Sequence, residues 1–189
     1  MSDVPLPAIA GARRLIVVVG PSGAGKDSVL RAWRAATDAP HFAQRVITRA
    51  PDATEAHEAI SPTDFAGMRS TGLLATWWNA HGLDYGVRRS QLDPLAQGRW
   101  VVMNGSRAHL PALRTQAPGL RVVALSAPAH VLAQRLAVRA REDQATRVGR
   151  LARSVVAPAD ADLELVNDGE LQRSVATLLQ WWHRVRDAA

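Results

Sequence analysis

The stretch that decides the fold runs from residue 15 to residue 28 and reads LIVVVGPSGAGKDS. Leu15 to Val19 form a continuous branched apolar run, which is typical of a strand buried on both faces of a parallel sheet. A glycine-rich turn follows directly, and from Gly25 the apolar residues recur at helical spacing until about residues 37–40. This strand, turn and helix predict the first βα unit of an α/β fold.

The turn has the spacing of a phosphate-binding loop: Gly20, four residues, Gly25 and Lys26. Glycines let backbone N–H groups face a phosphate, the helix N-terminus adds its dipole, and the lysine reaches the β- and γ-phosphates. An ordinary glycine-rich turn is the alternative, but Lys26 is the only lysine among 23 basic residues. We therefore predict ATP binding by Gly20, Pro21, Ser22, Gly23, Ala24, Gly25, Lys26, Asp27 and Ser28.

The position after the loop lysine departs from the usual motif, which places a Mg²⁺-binding serine or threonine there. Asp27 occupies it, and Ser28 is next. A carboxylate oxygen can coordinate Mg²⁺ directly or through water. Asp27 or Ser28 is therefore the expected metal ligand, and ATP with Mg²⁺ is the expected cofactor pair.

The rest of the chain alternates strand and helix patterns, as α/β proteins do. The candidate strands are 45–48, 100–103, 120–125 and 163–166. Ser61 to Asp64 predict a capped helix start, and further helices are expected over 128–141 and from Leu171 to Val185. A chain of 189 residues with 47% hydrophobic content predicts a single domain.

A second basic cluster follows the predicted helix at 128–141. Its arginines are spaced one helical turn apart in two groups around a charged connection. This pattern predicts a lid over about residues 139–154 that closes over phosphates and neutralises transition-state charge. A solvated helix face held by salt bridges is the alternative. The cluster consists of Arg135, Arg139, Arg141, Arg147, Arg150 and Arg153.

Composition excludes several classes of function. The absence of cysteine excludes disulfides, thiolate metal sites and cysteine nucleophiles. Apolar stretches are far shorter than the roughly 20 residues of a membrane span, so we expect a soluble, cytoplasmic protein without a membrane partner. The net charge is +6, but the arginines do not alternate with exposed aromatics, so a nucleic-acid partner is not expected. The oligomeric state stays open, a homodimer included.

The segment 72–87 holds candidate acceptor-binding residues. Tyr85 is the only tyrosine, and its phenol can donate a hydrogen bond to an acceptor phosphate. If the segment is a strand, Trp77 and Trp78 point to opposite faces and at least one belongs to the core. His81 is a candidate base, although a lone histidine is more often structural.

The loop, Thr48-Arg49, Tyr85-Gly86, the arginine-rich segment and Val166-Asn167-Asp168 resemble guanylate kinase-like proteins in their order. The resemblance extends from about residue 15 to 182. It implies a three-layer P-loop fold with a central parallel sheet, a core of about 13–43 and 91–189, a lid, and an acceptor-binding subdomain of about 44–90.

Three positions at which guanylate kinases read guanine differ here. Thr76 replaces the glutamate before the tryptophan, Val87 replaces the hydroxyl residue after Tyr-Gly, and Arg45 replaces the serine four residues before Arg49. GMP should therefore be a poor acceptor. The phosphate-binding Arg49 and Tyr85 remain, although Asp52 replaces a second family arginine.

The motifs at 20–28, 45–49, 81–86 and 104–107 closely resemble those of the ribose 1,5-bisphosphate phosphokinases of phosphonate catabolism. In that family an aspartate after the loop lysine is usual. The resemblance implies transfer of the ATP γ-phosphoryl group to the 1-phosphate of ribose 1,5-bisphosphate, giving 5-phosphoribosyl 1-diphosphate and ADP. Rival interpretations are a guanylate kinase or other nucleoside monophosphate kinase, and an inactive guanylate kinase-like binding module.

Roles for individual residues follow from this chemistry. An acceptor phosphate is already a nucleophile, so positioning and charge neutralisation suffice without a general base. Arg49 and Tyr85 are expected to hold the acceptor phosphate, and Arg45 its second phosphate. Arg107 could contact the acceptor together with Asn104, or simply begin a surface helix. The expected groups around the transferring phosphate are Lys26, Arg135, Arg139, Arg147 and Arg150.

Overall fold

The computed structural model describes residues 6–50, 57–139, 158 and 160–188, without the side chains of 136–139. Most of the predicted lid at 139–154 lies outside these residues, as does Asp52. Within the described ranges, no helix is long and apolar enough to cross a membrane.

The secondary structure alternates as the sequence predicts. The strands are β1 (Leu15–Val19), β2 (His41–Phe42), β3 (Arg45–Ile47), β4 (Glu58–Ala59), β5 (Leu74–Ala80), β6 (Leu83–Arg88), β7 (Val101–Asn104), β8 (Arg121–Ser126) and β9 (Leu163–Val166). The helices are α1 (Lys26–Arg34), α2 (Pro62–Ser70), α3 (Asp93–Ala96), α4 (Leu110–Gln116), α5 (Ala129–Arg139) and α6 (Leu171–Asp187), with 3₁₀ turns at Ala12–Arg14 and Arg89–Leu92.

A five-stranded sheet has the order β2-β7-β1-β8-β9. The pairs β2/β7 and β8/β9 are parallel, and every residue of β1 is buried, as its continuous apolar run requires. This confirms the predicted α/β fold with a central parallel sheet. A second, four-stranded sheet has the order β4-β3-β6-β5.

The chain divides into two compact units. One comprises residues up to 17 together with 40–121, and the other comprises 18–39 together with 122–189. In the second unit α1 packs against α6, where the rings of Trp33 and Trp182 meet edge to face with centroids 5.7 Å apart. Both tryptophans are buried, so they form the core beneath the phosphate-binding loop's helix.

In the first unit the four-stranded sheet is mixed. β3 pairs in parallel with β4 and antiparallel with β6, and β5 and β6 form a hairpin. One face of this sheet packs on α2 through a cluster of Val46, Phe65, Met68 and Leu74. Trp77 joins that cluster, whereas Trp78 is buried in a different set of contacts, as alternation along a strand requires.

One helix start follows a predicted local signal, and one helix ends earlier than expected. Ser61 caps α2 as predicted, because its Oγ accepts a 3.0 Å hydrogen bond from the backbone N–H of Asp64. Helix α1 ends at Arg34, earlier than expected. The 45–48 strand, β3, belongs to the second sheet, since its edges pair with β4 and β6.

Candidate active site

The phosphate-binding loop connects β1 to α1, and two of its glycines are required by their surroundings. A Cβ atom at Gly20 would lie 2.3 Å from the carbonyl oxygen of Leu125. Gly25 has φ 89°, and a Cβ atom there would lie 2.3 Å from Nδ2 of Asn167. Gly25 is also the N-cap of α1 and provides no side-chain cap, so the first N–H groups of the helix are not satisfied by a capping side chain.

Lys26 lies over this loop. Its Nζ atom donates hydrogen bonds of 2.9 Å to the carbonyl oxygen of Gly20 and 3.0 Å to that of Pro21. The ammonium group is therefore held beside the uncapped helix N-terminus, which is a favourable place for an anion.

The metal-ligand candidates begin the same helix. Asp27 is half-buried in the first turn of α1, and Ser28 is exposed. Among the described residues, no three His, Cys, Asp or Glu side chains are grouped to hold a metal ion. One or two protein oxygens at a phosphate site suit Mg²⁺, which takes its other ligands from substrate phosphates and water. The residues present thus fit a nucleotide-dependent Mg²⁺ site.

Asn167 and Arg135 donate hydrogen bonds to carbonyl oxygens of the phosphate-binding loop. The buried Asn167 donates from Nδ2 to the carbonyl oxygen of Ala24 at 2.9 Å. Arg135 donates from Nη1 to the carbonyl oxygen of Gly23 at 3.3 Å and from Nη2 to Oδ1 of Asn167 at 3.4 Å. Asn167 belongs to the motif Val166-Asn167-Asp168, which by itself implies no role for its side chain.

The other predicted lid arginines stay predictions. Arg139 is the last residue of α5, and its side chain is outside the description. Arg147 and Arg150 lie in the part of the chain that is not described. Of the four arginines expected around the transferring phosphate, the structure therefore places the side chain of Arg135 alone.

In the first unit, two predicted acceptor residues lie on neighbouring strands, Arg45 on β3 and Tyr85 on β6. The guanidinium carbon of Arg45 lies 5.6 Å from the centroid of the Tyr85 ring. Thr48 joins the end of β3 to the hairpin, because its Oγ1 accepts a 2.9 Å hydrogen bond from the N–H of Asp84. A pocket of about 260 Å³ at this strand end is lined by Thr48, Arg49, Ala50, Ala59, Ile60 and Ser61.

The three positions that differ from guanylate kinases form one row across this sheet. Arg45 pairs with Val87, and Val87 pairs with Thr76. Directly opposite residues point to the same face, so the three substitutions act at a single place. Thr76 and Val87 are fully buried.

An aromatic stack continues from this row. The rings of Tyr85 and Trp78 are nearly parallel, 5° apart, with centroids separated by 5.6 Å. Trp78 stacks in turn on His109 at 5.3 Å. Nε2 of His109 lies 2.7 Å from Oγ1 of Thr76, which also donates to Oε1 of Gln116 at 3.1 Å. His109 and Gln116 were not predicted as site residues. Nothing in the sequence around them indicates that they contact Thr76.

The remaining candidates occupy strand ends and turns. Asn104 is buried at the carboxyl end of β7, the end at which open α/β sheets place their ligands. Arg107 is half-buried in the following turn, and burial lowers the pKa of its guanidinium. His81 has φ 56° in the exposed hairpin turn, which agrees with a structural role.

The whole fold resembles that of a solved nucleotide kinase. A guanylate kinase from Anaplasma phagocytophilum superposes with a TM-score of 0.66 over 97% of this chain and 88% of that one, at 14% identity. That similarity concerns the fold alone, and no protein-family model matches the chain. The parallel sheet and the glycine loop with its single lysine define a P-loop protein of guanylate kinase-like architecture.

Full-length relatives narrow this class. A ribose 1,5-bisphosphate phosphokinase PhnN from Acidiphilium cryptum is 45% identical over 177 residues, 92% of this chain and 94% of that protein. The protein of the same name from Pseudomonas fluorescens is 44% identical over 178 residues, 89% and 94% of the two chains. The chain belongs to the ribose 1,5-bisphosphate phosphokinase PhnN family. A Rhodopseudomonas palustris member is 41% identical over 163 residues, 85% and 84% of the two chains.

Proposed function

We propose that this protein transfers the γ-phosphoryl group of ATP to the 1-phosphate of ribose 1,5-bisphosphate. The products are 5-phospho-α-D-ribose 1-diphosphate and ADP. The observation that carries the proposal is 45% identity with a ribose 1,5-bisphosphate phosphokinase over 92% of this chain, together with the glycine loop and Lys26. Such a reaction on a free sugar phosphate with ATP belongs in the cytoplasm.

The donor half of the reaction uses the second unit. We assign to Lys26 and the loop N–H groups the binding of the β- and γ-phosphates, where the helix N-terminus adds positive potential. Asp27 or Ser28 would hold Mg²⁺, which supplies neutralisation of phosphate charge when bound. Asn167 binds the carbonyl oxygen of Ala24, which keeps that carbonyl from facing the phosphates.

Arg135 can donate hydrogen bonds either to protein oxygens or to a phosphate. Its guanidinium contacts the carbonyl oxygens of Gly23 and Ala24 and two oxygens of Asn167 at 3.3 to 3.5 Å, which are long, weak hydrogen bonds. A phosphate oxygen is a stronger acceptor for guanidinium N–H groups than a neutral carbonyl. We therefore keep the proposal that Arg135 neutralises charge on the transferring group, with Arg139, Arg147 and Arg150 as further candidates.

The acceptor half uses the first unit. We assign the reacting phosphate to Arg49 and Tyr85, which lie beside the pocket and on β6 respectively. Arg45 takes the second phosphate, since a guanidinium stacked on a ring keeps its edge N–H groups for hydrogen bonds. Asn104 and Arg107 are the candidates for the ribose hydroxyls or a phosphate.

The row formed by Arg45, Val87 and Thr76 supports an acceptor without a nucleobase. A guanine site needs side chains that hydrogen-bond the base, whereas Val87 offers none and the Thr76 hydroxyl is already bonded to His109 and Gln116. A base bound there would lose hydrogen bonds to water without replacing them. The arrangement therefore favours a phosphorylated sugar over a nucleotide.

The test is a coupled ADP-release assay with Mg-ATP that compares ribose 1,5-bisphosphate and GMP at equal concentrations. Turnover with the sugar bisphosphate alone is the expected result. Turnover with GMP would return the protein to the nucleoside monophosphate kinases. No ADP release with either acceptor would favour another phosphorylated acceptor or a binding module.

A further inference from the structure

Four side chains at the proposed acceptor site form one continuous stack. It runs from the guanidinium of Arg45 over Tyr85 to Trp78 and ends on the imidazole of His109, with successive separations of 5.6, 5.6 and 5.3 Å. Rings stacked at these distances attract one another, and each restricts the rotamers of the next. The position of Arg45 therefore depends on what holds the far end of the stack.

Hydrogen bonding fixes that far end. Nε2 of Gln116 donates to the carbonyl oxygen of Ala75 at 3.3 Å, which sets the orientation of the side-chain amide. Oε1 of Gln116 consequently faces Thr76, and a carbonyl oxygen can only accept. The single hydroxyl proton of Thr76 is thus committed to Gln116.

The protonation of His109 follows from this commitment. Because Thr76 has no second proton, its Oγ1 must accept at its 2.7 Å contact with Nε2 of His109. Nε2 therefore carries a proton. Burial lowers the pKa of the imidazole, so the ring is neutral at pH 7 and Nδ1 is unprotonated.

The same contacts connect His109 to acceptor choice. Thr76 is fully buried, and the resemblance to guanylate kinases aligns it with their base-reading glutamate. Its hydroxyl is saturated by His109 and Gln116, so neither a base nor water can use it. The imidazole of His109 thus has two roles. It binds the hydroxyl of Thr76, and it stacks on the rings that support Arg45.

We infer that His109 is a positioning residue of the acceptor site, held by its Nε2–H bond to Thr76 and acting on Arg45 through the stacked Trp78 and Tyr85. The inference rests on the proposed function, because it concerns binding of the acceptor. His109 does not touch the phosphates in this role. Its replacement should therefore alter acceptor binding and leave nucleotide binding as it is.

Two substitutions of His109 test its imidazole ring and its Nε2–H donor separately. His109→Gln keeps an N–H donor near the position of Nε2 and removes the ring, whereas His109→Phe keeps a ring and removes the donor. We expect His109→Gln to raise the KM for ribose 1,5-bisphosphate roughly 10- to 100-fold, a range typical of misplaced binding groups. The KM for ATP should stay within about twofold in both variants, since the loop contacts of Lys26 are unchanged.

His130→Gln is the matched control, because His130 is an exposed histidine on α5 with no part in either half of the site. It should keep both KM values. The inference is overturned if the folded His109→Gln enzyme keeps its acceptor KM within twofold of the unmodified protein, or if the ATP KM rises by the same factor. Should His109→Phe fail to fold, His109→Gln alone decides.

A second measurement does not depend on turnover. Long-range ¹H–¹⁵N NMR correlations distinguish the two neutral tautomers of histidine, and His109→Gln identifies the signals of residue 109. An Nε2–H tautomer near neutral pH is expected, and an Nδ1–H tautomer or a charged ring would overturn the inference. If the unmodified protein phosphorylates no ribose 1,5-bisphosphate, the proposed function fails and the inference fails with it. If the unmodified protein phosphorylates ribose 1,5-bisphosphate and the His109 variants keep its KM, the inference fails and the proposed function stands.

Discussion

The side-chain amide of Asn167 donates a 2.9 Å hydrogen bond to the carbonyl oxygen of Ala24, a residue 143 positions earlier in the chain. Its own backbone N–H bonds to the carbonyl oxygen of Ser126 at the end of β8, also at 2.9 Å. The loop proposed to receive the phosphates is therefore tied to the end of the sheet by one buried side chain. This link restricts the conformations that the loop can adopt.

This bond makes Gly25 intolerant of any side chain. Gly25→Ala should raise the KM for ATP at least about tenfold, because the new Cβ would meet Nδ2 of Asn167 at 2.3 Å in a backbone with φ 89°. Gly67→Ala is the control, since Gly67 lies inside α2 with open space around it. That change should stabilise the fold by about 0.5 to 1 kcal/mol. Nucleotide titration with thermal unfolding of both variants gives the comparison, and equal ATP affinities would contradict it.

Lys26 should matter for turnover more than for folding. We expect Lys26→Ala to lower kcat by about 10²- to 10³-fold, the usual loss when one preorganised donor to a developing charge is removed. Arg31→Ala, an exposed cation on the same helix, should leave kcat unchanged. Steady-state kinetics with circular dichroism tests both. Near-normal turnover in folded Lys26→Ala would remove the loop from the mechanism.

A lysine should not replace Arg45. The guanidinium of Arg45 stacks on Tyr85 and keeps a planar set of donors, which an ammonium group cannot reproduce. Arg45→Lys should raise the KM for ribose 1,5-bisphosphate about tenfold, equivalent to roughly 1.4 kcal/mol. Arg69→Lys offers a matched control, because Arg69 stacks at 4.7 Å on Trp77, which packs with the cluster around α2. A similar KM increase in both variants would show that stacking in general, and not the acceptor site, is responsible.

His109 should make stability depend on pH. Burial lowers the pKa of its imidazole below the usual 6.5, so the unfolded chain binds the proton more readily than the folded one. Stability should accordingly be greatest above pH 6.5 and fall as the pH drops toward the folded-state pKa, below which this loss is complete. Thermal unfolding of the unmodified protein and His109→Gln between about pH 5 and 8 measures the effect. Parallel curves for the two proteins would mean that His109 contributes nothing to it.

Local sequence predicted the elements that have local causes. The apolar run of β1, the glycine loop and the Ser61 cap of α2 each depend on residues within a few positions of one another. The acceptor motifs were recognised by resemblance, and the structure pairs Arg45 with Val87 and Val87 with Thr76.

Long-range pairing was beyond the sequence. Nothing in the 45–47 segment states that it joins a second sheet, because a short apolar strand pairs equally well with a parallel or an antiparallel neighbour. Asn167 and His109 were missed for the same reason, since their partners are Ala24 and Thr76, far away in the chain. The roles predicted for Arg147 and Arg150 stay predictions.

The solitary lysine gives this chain an unusual proteolytic profile. A protease that cuts only after lysine has one cleavage site, the peptide bond between Lys26 and Asp27, in the first turn of α1. With the Lys26 ammonium bonded to the carbonyls of Gly20 and Pro21, cutting requires the loop to open. When opening and closing are fast relative to cleavage, the rate at which the intact chain becomes two fragments is proportional to the fraction of chains with this segment open, and no label or substitution is needed to measure it.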